Sequence, residues 1–261
     1  MSMFYCGTSG FSYDDWSGIY YPERLPRKNW LSYYAQEFNA VELNFTYYAL
    51  PEVSTMKALA GRTGEGFLFA VKANQDMTHK RQQDASIFEA FLKTLEPLVE
   101  AGKLGCVLAQ FPYSFGATEP NFEYLKKFYD WMGGTALVIE FRNSGWLSPK
   151  THDWMRDNNI GFCCVDEPQL PHLLPPSAEV TSDIGYVRFH GRNETKWWNH
   201  ENAWERYDYT YKSGELQEWI PQIAQISRVA KKTFIFANNH WKSQAVDTIR
   251  QVRSMLDQLV L

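Results

Sequence analysis

Polar and charged side chains recur at the ends of short apolar runs in this chain. Glu42 and Asn44 close one run, Lys72 another and Gln110 a third. Glu140 and Arg142, then Asp166, then Arg188 and His190, then Asn238 close four more. Carboxylates and an imidazole are side chains of general acid–base catalysis. Lysine and arginine stabilise developing negative charge or hold an anionic group. Such a set supplies proton transfer, the chemistry of an isomerase or a lyase. Glu140 or Glu42 would be the base, and Lys72, Arg142 or Arg188 the electrostatic partner. Asp166 and His190 complete the candidate catalytic set. Two carboxylates on facing strands also allow hydrolysis of a glycosidic or phosphoester bond. A desolvated lysine is nucleophilic, so Lys72 can form a Schiff base as well as anchor an anion.

The runs themselves dictate the fold. They are Cys6–Gly10, Val41–Thr46, Phe67–Lys72, Gly105–Phe111, Ala136–Arg142, Gly161–Asp166, Gly185–His190 and Thr233–Asn239. Helix-like segments separate most of them, the layout of a TIM-type (β/α)8 barrel, whose sites sit at the carboxyl ends of its strands. The length of 261 residues suits one such domain over residues 1–261. Helices are expected at Trp30–Phe38 behind an Asn29 cap, from Pro51 in a first helical turn, after Asp84 and from Pro120 to Met132. Others are expected at Ser148–Trp154, Leu216–Ala230 and Gln244–Leu259. Between the sixth and seventh strands stand Pro168, Pro171, Pro175 and Pro176. That much proline excludes a regular helix, so the connection should be irregular.

Residues two apart on a strand share a face. Glu42 with Asn44, Glu140 with Arg142, Cys164 with Asp166, and Arg188 with His190 are therefore expected to point to the axis. Buried charges must be paired, and carboxylates and cations are about equally numerous here. A self-neutralising ion-pair network is the competing explanation. A divalent metal on Glu42, Glu140, Asp166 and His190 is not favoured, because Lys72, Arg142 and Arg188 would repel it. His190 can be a base, a metal ligand or a core hydrogen-bond partner.

The turn Gly7-Thr8-Ser9-Gly10 offers amides and hydroxyls to an anion. Segment 191–214, with Trp197, Trp198, Trp204, Tyr207, Tyr209 and Tyr211, should lie over the site as a lid, a stacking platform or plain packing. Trp16, Tyr20 and Tyr21 can join it. Stacked aromatics with Arg188 and Arg192 would also suit nucleic acid, but the net charge of −4 argues against a basic binding surface. No apolar run reaches the length of a membrane span, and no signal peptide is visible. The four cysteines, Cys6, Cys106, Cys163 and Cys164, lie in strands without ligand-like spacing. Reduced thiols in the cytoplasm follow.

The stretches GTSGFSYDDW, YAQEFNAVELNFTYYALP, FAVKAN with a following TH, LGCVLAQFPYSF, VIEFRNSGW, VDEP, YVRFHGR and FANNH run in order from Tyr5 to His240. Together they resemble the YecE-like family, domain of unknown function 72. The resemblance implies a TIM-type barrel and a loose relation to sugar isomerases. The family pattern is matched at the candidate ligand positions Ser9, Asn44, His79, Gln110, Arg142, Arg188, Arg192 and Asn238, and at the candidate catalytic positions Glu42, Lys72, Glu140, Asp166 and His190. Phe45, Asn143 and Ala237 depart from the pattern, where serine, histidine and asparagine are common. The reading is a small polar ligand, anionic or sugar-like, bound at the strand ends. A non-catalytic ligand-binding protein and a nucleic-acid-processing protein are the alternatives.

Overall fold

The computed structural model describes residues 3–259. Its strands are β1 Met3–Thr8, β2 Ala40–Leu43, β3 Leu68–Lys72, β4 Leu104–Gln110, β5 Leu137–Glu140, β6 Gly161–Asp166, β7 Ile184–Phe189 and β8 Lys232–Ala237. Every expected run overlaps one of them, five of the strands beginning one to three residues earlier. They pair in parallel in the order β1-β8-β7-β6-β5-β4-β3-β2, a nearly closed barrel.

The remaining seam lies between β1 and β2, where the backbone forms one parallel bridge, Ser9 with Glu42. Gly10 N donates to Glu42 O there at 2.8 Å. Elsewhere side chains close the seam. Asn39 accepts from Cys6 N at 2.8 Å and donates Nδ2 to Phe4 O at 2.8 Å, as a peptide group of β2 would. The Tyr34 hydroxyl accepts from Thr8 N at 2.7 Å and donates to Ala40 O at 3.1 Å. Gly7 is required beside them, since a Cβ there would stand 1.9 Å from Ala40 O.

The helices are α1 Trp30–Tyr34, α2 Val53–Ala60, α3 Gln75–Thr78, α4 Ala85–Glu100, α5 Glu119–Trp131, α6 Pro149–Asp157, α7 Glu194–Trp197, α8 Ser213–Gln217, α9 Ile220–Val229 and α10 Gln244–Leu259. Asp84 and Ser148 cap α4 and α6 as their spacing predicts, accepting from Ser86 N at 2.9 Å and Thr151 N at 3.2 Å. Three expectations need adjustment. Asn29 makes no cap, because a tight turn over Arg27–Asn29 leads directly into α1. Pro51 stands before α2, which starts at Val53. Pro221 occupies the first turn of α9, where its missing N–H costs nothing, and the expected Leu216–Ala230 helix is divided there into α8 and α9. Between β6 and β7 the chain forms no helix.

The lower barrel is aromatic. Tyr5 stacks on Phe234 with centroids 5.1 Å apart, and Tyr186 packs against Phe234 and Phe236 at 5.9 and 5.4 Å. Gly105 makes room for the Phe234 ring, whose Cζ lies 2.6 Å from where a Cβ would be. The polar strand ends lie above this plug, toward the mouth. Among the described residues no helix is long and apolar enough to cross a membrane.

Candidate functional site

Above the aromatic plug the inward strand ends form a buried ionic floor. Arg188 on β7 donates Nη2 to Glu42 Oε1 at 2.6 Å and Nη1 to Glu140 Oε2 at 2.5 Å. The Tyr186 hydroxyl donates to the other Glu42 oxygen at 2.7 Å. Arg142 pairs Nε with Glu140 Oε1 at 2.5 Å and Nη1 with Glu167 Oε2 at 3.0 Å. Glu42, Glu140 and Glu167 are fully buried, so these pairs must recover a large desolvation cost. His190 lies within the same network. Its Nε2 is 3.2 Å from Glu140 Oε1, and its Nδ1 is 3.1 Å from Asn238 Nδ2. Arg142 Nη2, which can only donate, stands 3.1 Å from the same Nε2.

The floor separates the titrations of its members. Burial opposes the charge of Glu140, but Arg142, Arg188 and His190 outweigh it and hold the carboxyl well below its usual range. Burial, reinforced by Arg142, pushes His190 well below the ordinary imidazole value, so it is neutral. Burial raises Glu167 to about 7; Arg142 opposes this and the neighbouring Glu140 adds to it. Burial, then Arg188, lowers Lys72 to about 8.

Over the floor opens a cavity of about 810 Å³. Lys72, Arg142, Arg188 and Arg206 line it together with Asn44, His79, Gln110, Asn238 and a ring of aromatic side chains. Among the described residues no aspartate or glutamate lines it. Lys72 Nζ donates to Gln110 Oε1 at 2.9 Å and sits 4.6 Å from the centre of the Tyr47 ring. Arg206 donates Nε to Trp197 O at 2.8 Å and lies over the Trp197 and Trp198 rings. His79 packs edge-on to Tyr47 at 4.9 Å. Burial, with Lys72 and Arg142, lowers its pKa to about 4.

The expected set thus divides. Lys72, Arg142, Arg188, Asn44, His79, Gln110 and Asn238 reach the cavity. Glu42, Glu140 and His190 lie inward but beneath it. Ser9 supports the floor, its Oγ accepting from Arg188 Nη2 at 3.3 Å. Asp166 and Arg192 are turned away, contrary to the expected parity. The Asp166 carboxylate accepts from Trp219 Nε1 at 2.6 Å, from the Tyr211 hydroxyl, and from Arg192 Nη2 at 2.6 Å. The physical reason is the register of β6. Phe162 needs the space outside the barrel, where it meets Phe141 and His152. Cys164 and Asp166 follow it outward, and Cys163 and Glu167 point in. Glu167 is therefore a site residue that the sequence reading missed, adjacent to the one it chose.

Other expectations change with the geometry. The turn amides are already used, Thr8 N by Tyr34, Ser9 N by Ala237 O at 2.9 Å and Gly10 N by Glu42 O. They do not form an anion nest. Trp16, Tyr20 and Tyr21 do not line the cavity; they pack with Trp30 and Tyr34 behind its wall, where Trp16 meets Tyr13 and donates Nε1 to His240 O at 2.7 Å. The aromatic segment does cover the site: Trp197 is buried over Arg142, and Trp198, Trp204 and Tyr207 line the cavity. Arg206 was missed because it lies in this irregular excursion, where strand parity gives no guidance.

Residues 5–260 match the family described as "Protein of unknown function DUF72". The chain is 32% identical to the UPF0759 protein YunF of Bacillus subtilis (strain 168), covering 98% of this chain and 95% of that protein. A crystal structure of a DUF72 family protein from Thermotoga maritima superposes with a TM-score of 0.90 at 39% identity, over 98% of this chain and 99% of the other. One from Enterococcus faecalis V583 gives 0.87 at 28% identity, over 98% and 96%. The chain belongs to the DUF72 family, the family its motifs resemble.

Proposed function

We propose that the barrel mouth binds a small anionic, sugar-like ligand. One observation carries this reading: four cations line a cavity without an acidic residue among those described, and two of them have no ion-pair partner. Arg142 and Arg188 are neutralised by the floor, whereas Lys72 and Arg206 bond to amide oxygens of Gln110 and Trp197. A cation that lines a cavity without a counter-charge favours an anion there. The surrounding aromatic rings offer apolar faces to the rest of the ligand.

The chemistry available differs from a carboxylate-base scheme. Glu42 and Glu140 share Arg188 beneath the cavity, which also removes support for a two-carboxylate hydrolase. Lys72, with a pKa of about 8, is the group at the cavity suited to moving a proton near neutral pH. An isomerase- or lyase-like reaction would rest on it. The free thiols of Cys6, Cys106, Cys163 and Cys164 support a cytoplasmic setting.

Calorimetry with inorganic phosphate, sulfate, a hexose phosphate and neutral glucose tests the reading. The anions should bind, the phosphorylated sugar best, and Arg206→Ala should weaken that binding by about 1.5 kcal/mol, the lower end for a charged hydrogen bond. If none of the anions binds, or the variant binds them as tightly, the reading is wrong.

A further inference from the structure

Among the described residues that line the cavity, Lys72 is the only primary amine. Its surroundings differ from those of a structural lysine. Its hydrogen-bond acceptor is neutral, the Gln110 amide, itself fixed by donating Nε2 to Phe111 O at 2.8 Å. The floor carboxylates Glu42 and Glu140 are already engaged by Arg188 and Arg142. Burial, then Arg188, disfavours an ammonium here; Glu140 and Glu42 offset part of this, and Arg142 adds to it. The amine points into a space large enough for a small substrate, at the end of β3 where barrel enzymes hold their reactive groups.

We propose that Lys72 is a nucleophile that forms an imine with the carbonyl carbon of an anionic aldehyde or ketone bound at the barrel mouth. This rests on the anion-binding reading and narrows it to carbonyl compounds bearing a phosphate or carboxylate. The neutral amine attacks with its lone pair, forming the C–N bond, and the carbonyl π pair moves to oxygen. Transfer of a proton from nitrogen to that oxygen gives the carbinolamine. Protonation of its hydroxyl and departure of water break the C–O bond and leave an iminium on Lys72. In sum, amine, carbonyl and one proton give iminium and water, and no oxidant or reductant is required. His79 shares the Tyr47 ring with Lys72 and is neutral near pH 7.

At pH 7 a pKa of about 8 in place of 10.5 gives about 300-fold more neutral amine than an ordinary lysine has. The test treats the full chain with dihydroxyacetone phosphate or pyruvate, reduces with borohydride and maps adducts by mass spectrometry. A reduced adduct should form on Lys72 at least about tenfold over any other lysine, a conservative share of that advantage. Inorganic phosphate should suppress it. Lys72→Arg removes the primary amine and should lose the adduct; circular dichroism confirms that it folds. Phosphate binding with no preferred adduct at Lys72 would overturn the nucleophile and spare the anion site. A preferred adduct that phosphate does not suppress would retain the amine chemistry and overturn the anion site. Neither binding nor adduct would overturn both.

Discussion

Arg188 on β7 donates to Glu42 on β2 at 2.6 Å, across strands that stand three places apart around the barrel. The bond ties the β7–β8–β1 side of the wall to β2, where the β1–β2 seam has a single backbone bridge. Its second arm holds Glu140 on β5. The charge of Arg188 is thus neutralised inside the protein, and under the anion-binding proposal a ligand would be held chiefly by Lys72 and Arg206.

Arg188→Ala should therefore be severely destabilising rather than selectively deaf to a ligand. It strands Glu42 and Glu140 in a dry interior and opens a void among Tyr186, Ser9 and Glu42. Removing one partner of a buried pair costs about 3–5 kcal/mol. Urea unfolding measures it. A loss below about 1 kcal/mol, in the range of exposed pairs, would mean that the floor is hydrated and its pairs are weak.

Much of this arrangement was legible in the sequence. Nearly every expected run ended in a polar or charged residue, and period-two alternation placed Glu42, Glu140, Arg142, Arg188 and His190 inward together. Alternation alone does not say which of two adjacent carboxylates turns inward. For Asp166 and Glu167 the choice depends on Phe162, which needs the outer layer, and on Trp219 and Tyr211, which arrive from far along the chain. Nor does parity give depth. Glu140 and Lys72 both point to the axis, yet only Lys72 reaches the cavity.

Asp166→Ala should separate stability from binding. The fully buried carboxylate holds Trp219, Tyr211 and Arg192 behind the wall. Its loss leaves two buried donors unpaired, while Arg192 retains Glu218 at 3.2 Å and some contact with water. The expected cost is about 2–4 kcal/mol, seen as a lower melting temperature. Phosphate affinity of the folded variant should be unchanged. A selective loss of affinity would place Asp166 in the site after all.

Asn39→Ala should loosen the seam. It deletes the acceptor for Cys6 N and the donor to Phe4 O, two bonds that stand in for a missing strand pair. Asn39 is exposed, so water replaces part of the loss and about 1 kcal/mol is expected. Hydrogen exchange at the Cys6 amide should quicken while the Ile235 amide in β8 keeps its protection. Equal acceleration at both would indicate global destabilisation instead of an opened seam.

Glu167 should leave a signature in the pH dependence of stability. Burial raises its folded pKa to about 7, against 4.5 for a free glutamate. Between those values the folded state binds more protons than the unfolded chain, so this group's contribution is fully present below 4.5 and is lost as pH rises to about 7. The shift corresponds to about 3 kcal/mol. His79 and His190, whose folded pKa values are lowered, slope the other way, so wild-type stability alone does not isolate it. Glu167→Gln does. The variant loses one acceptor facing either Arg142 or Leu174 N, an offset that does not depend on pH. Its stability relative to wild type should therefore climb by about 2–3 kcal/mol between pH 5 and 8. Unfolding curves for both proteins across that range provide the measurement. A flat difference would mean that Arg142 keeps Glu167 ionised throughout, and that the floor holds its third carboxylate as firmly as the other two.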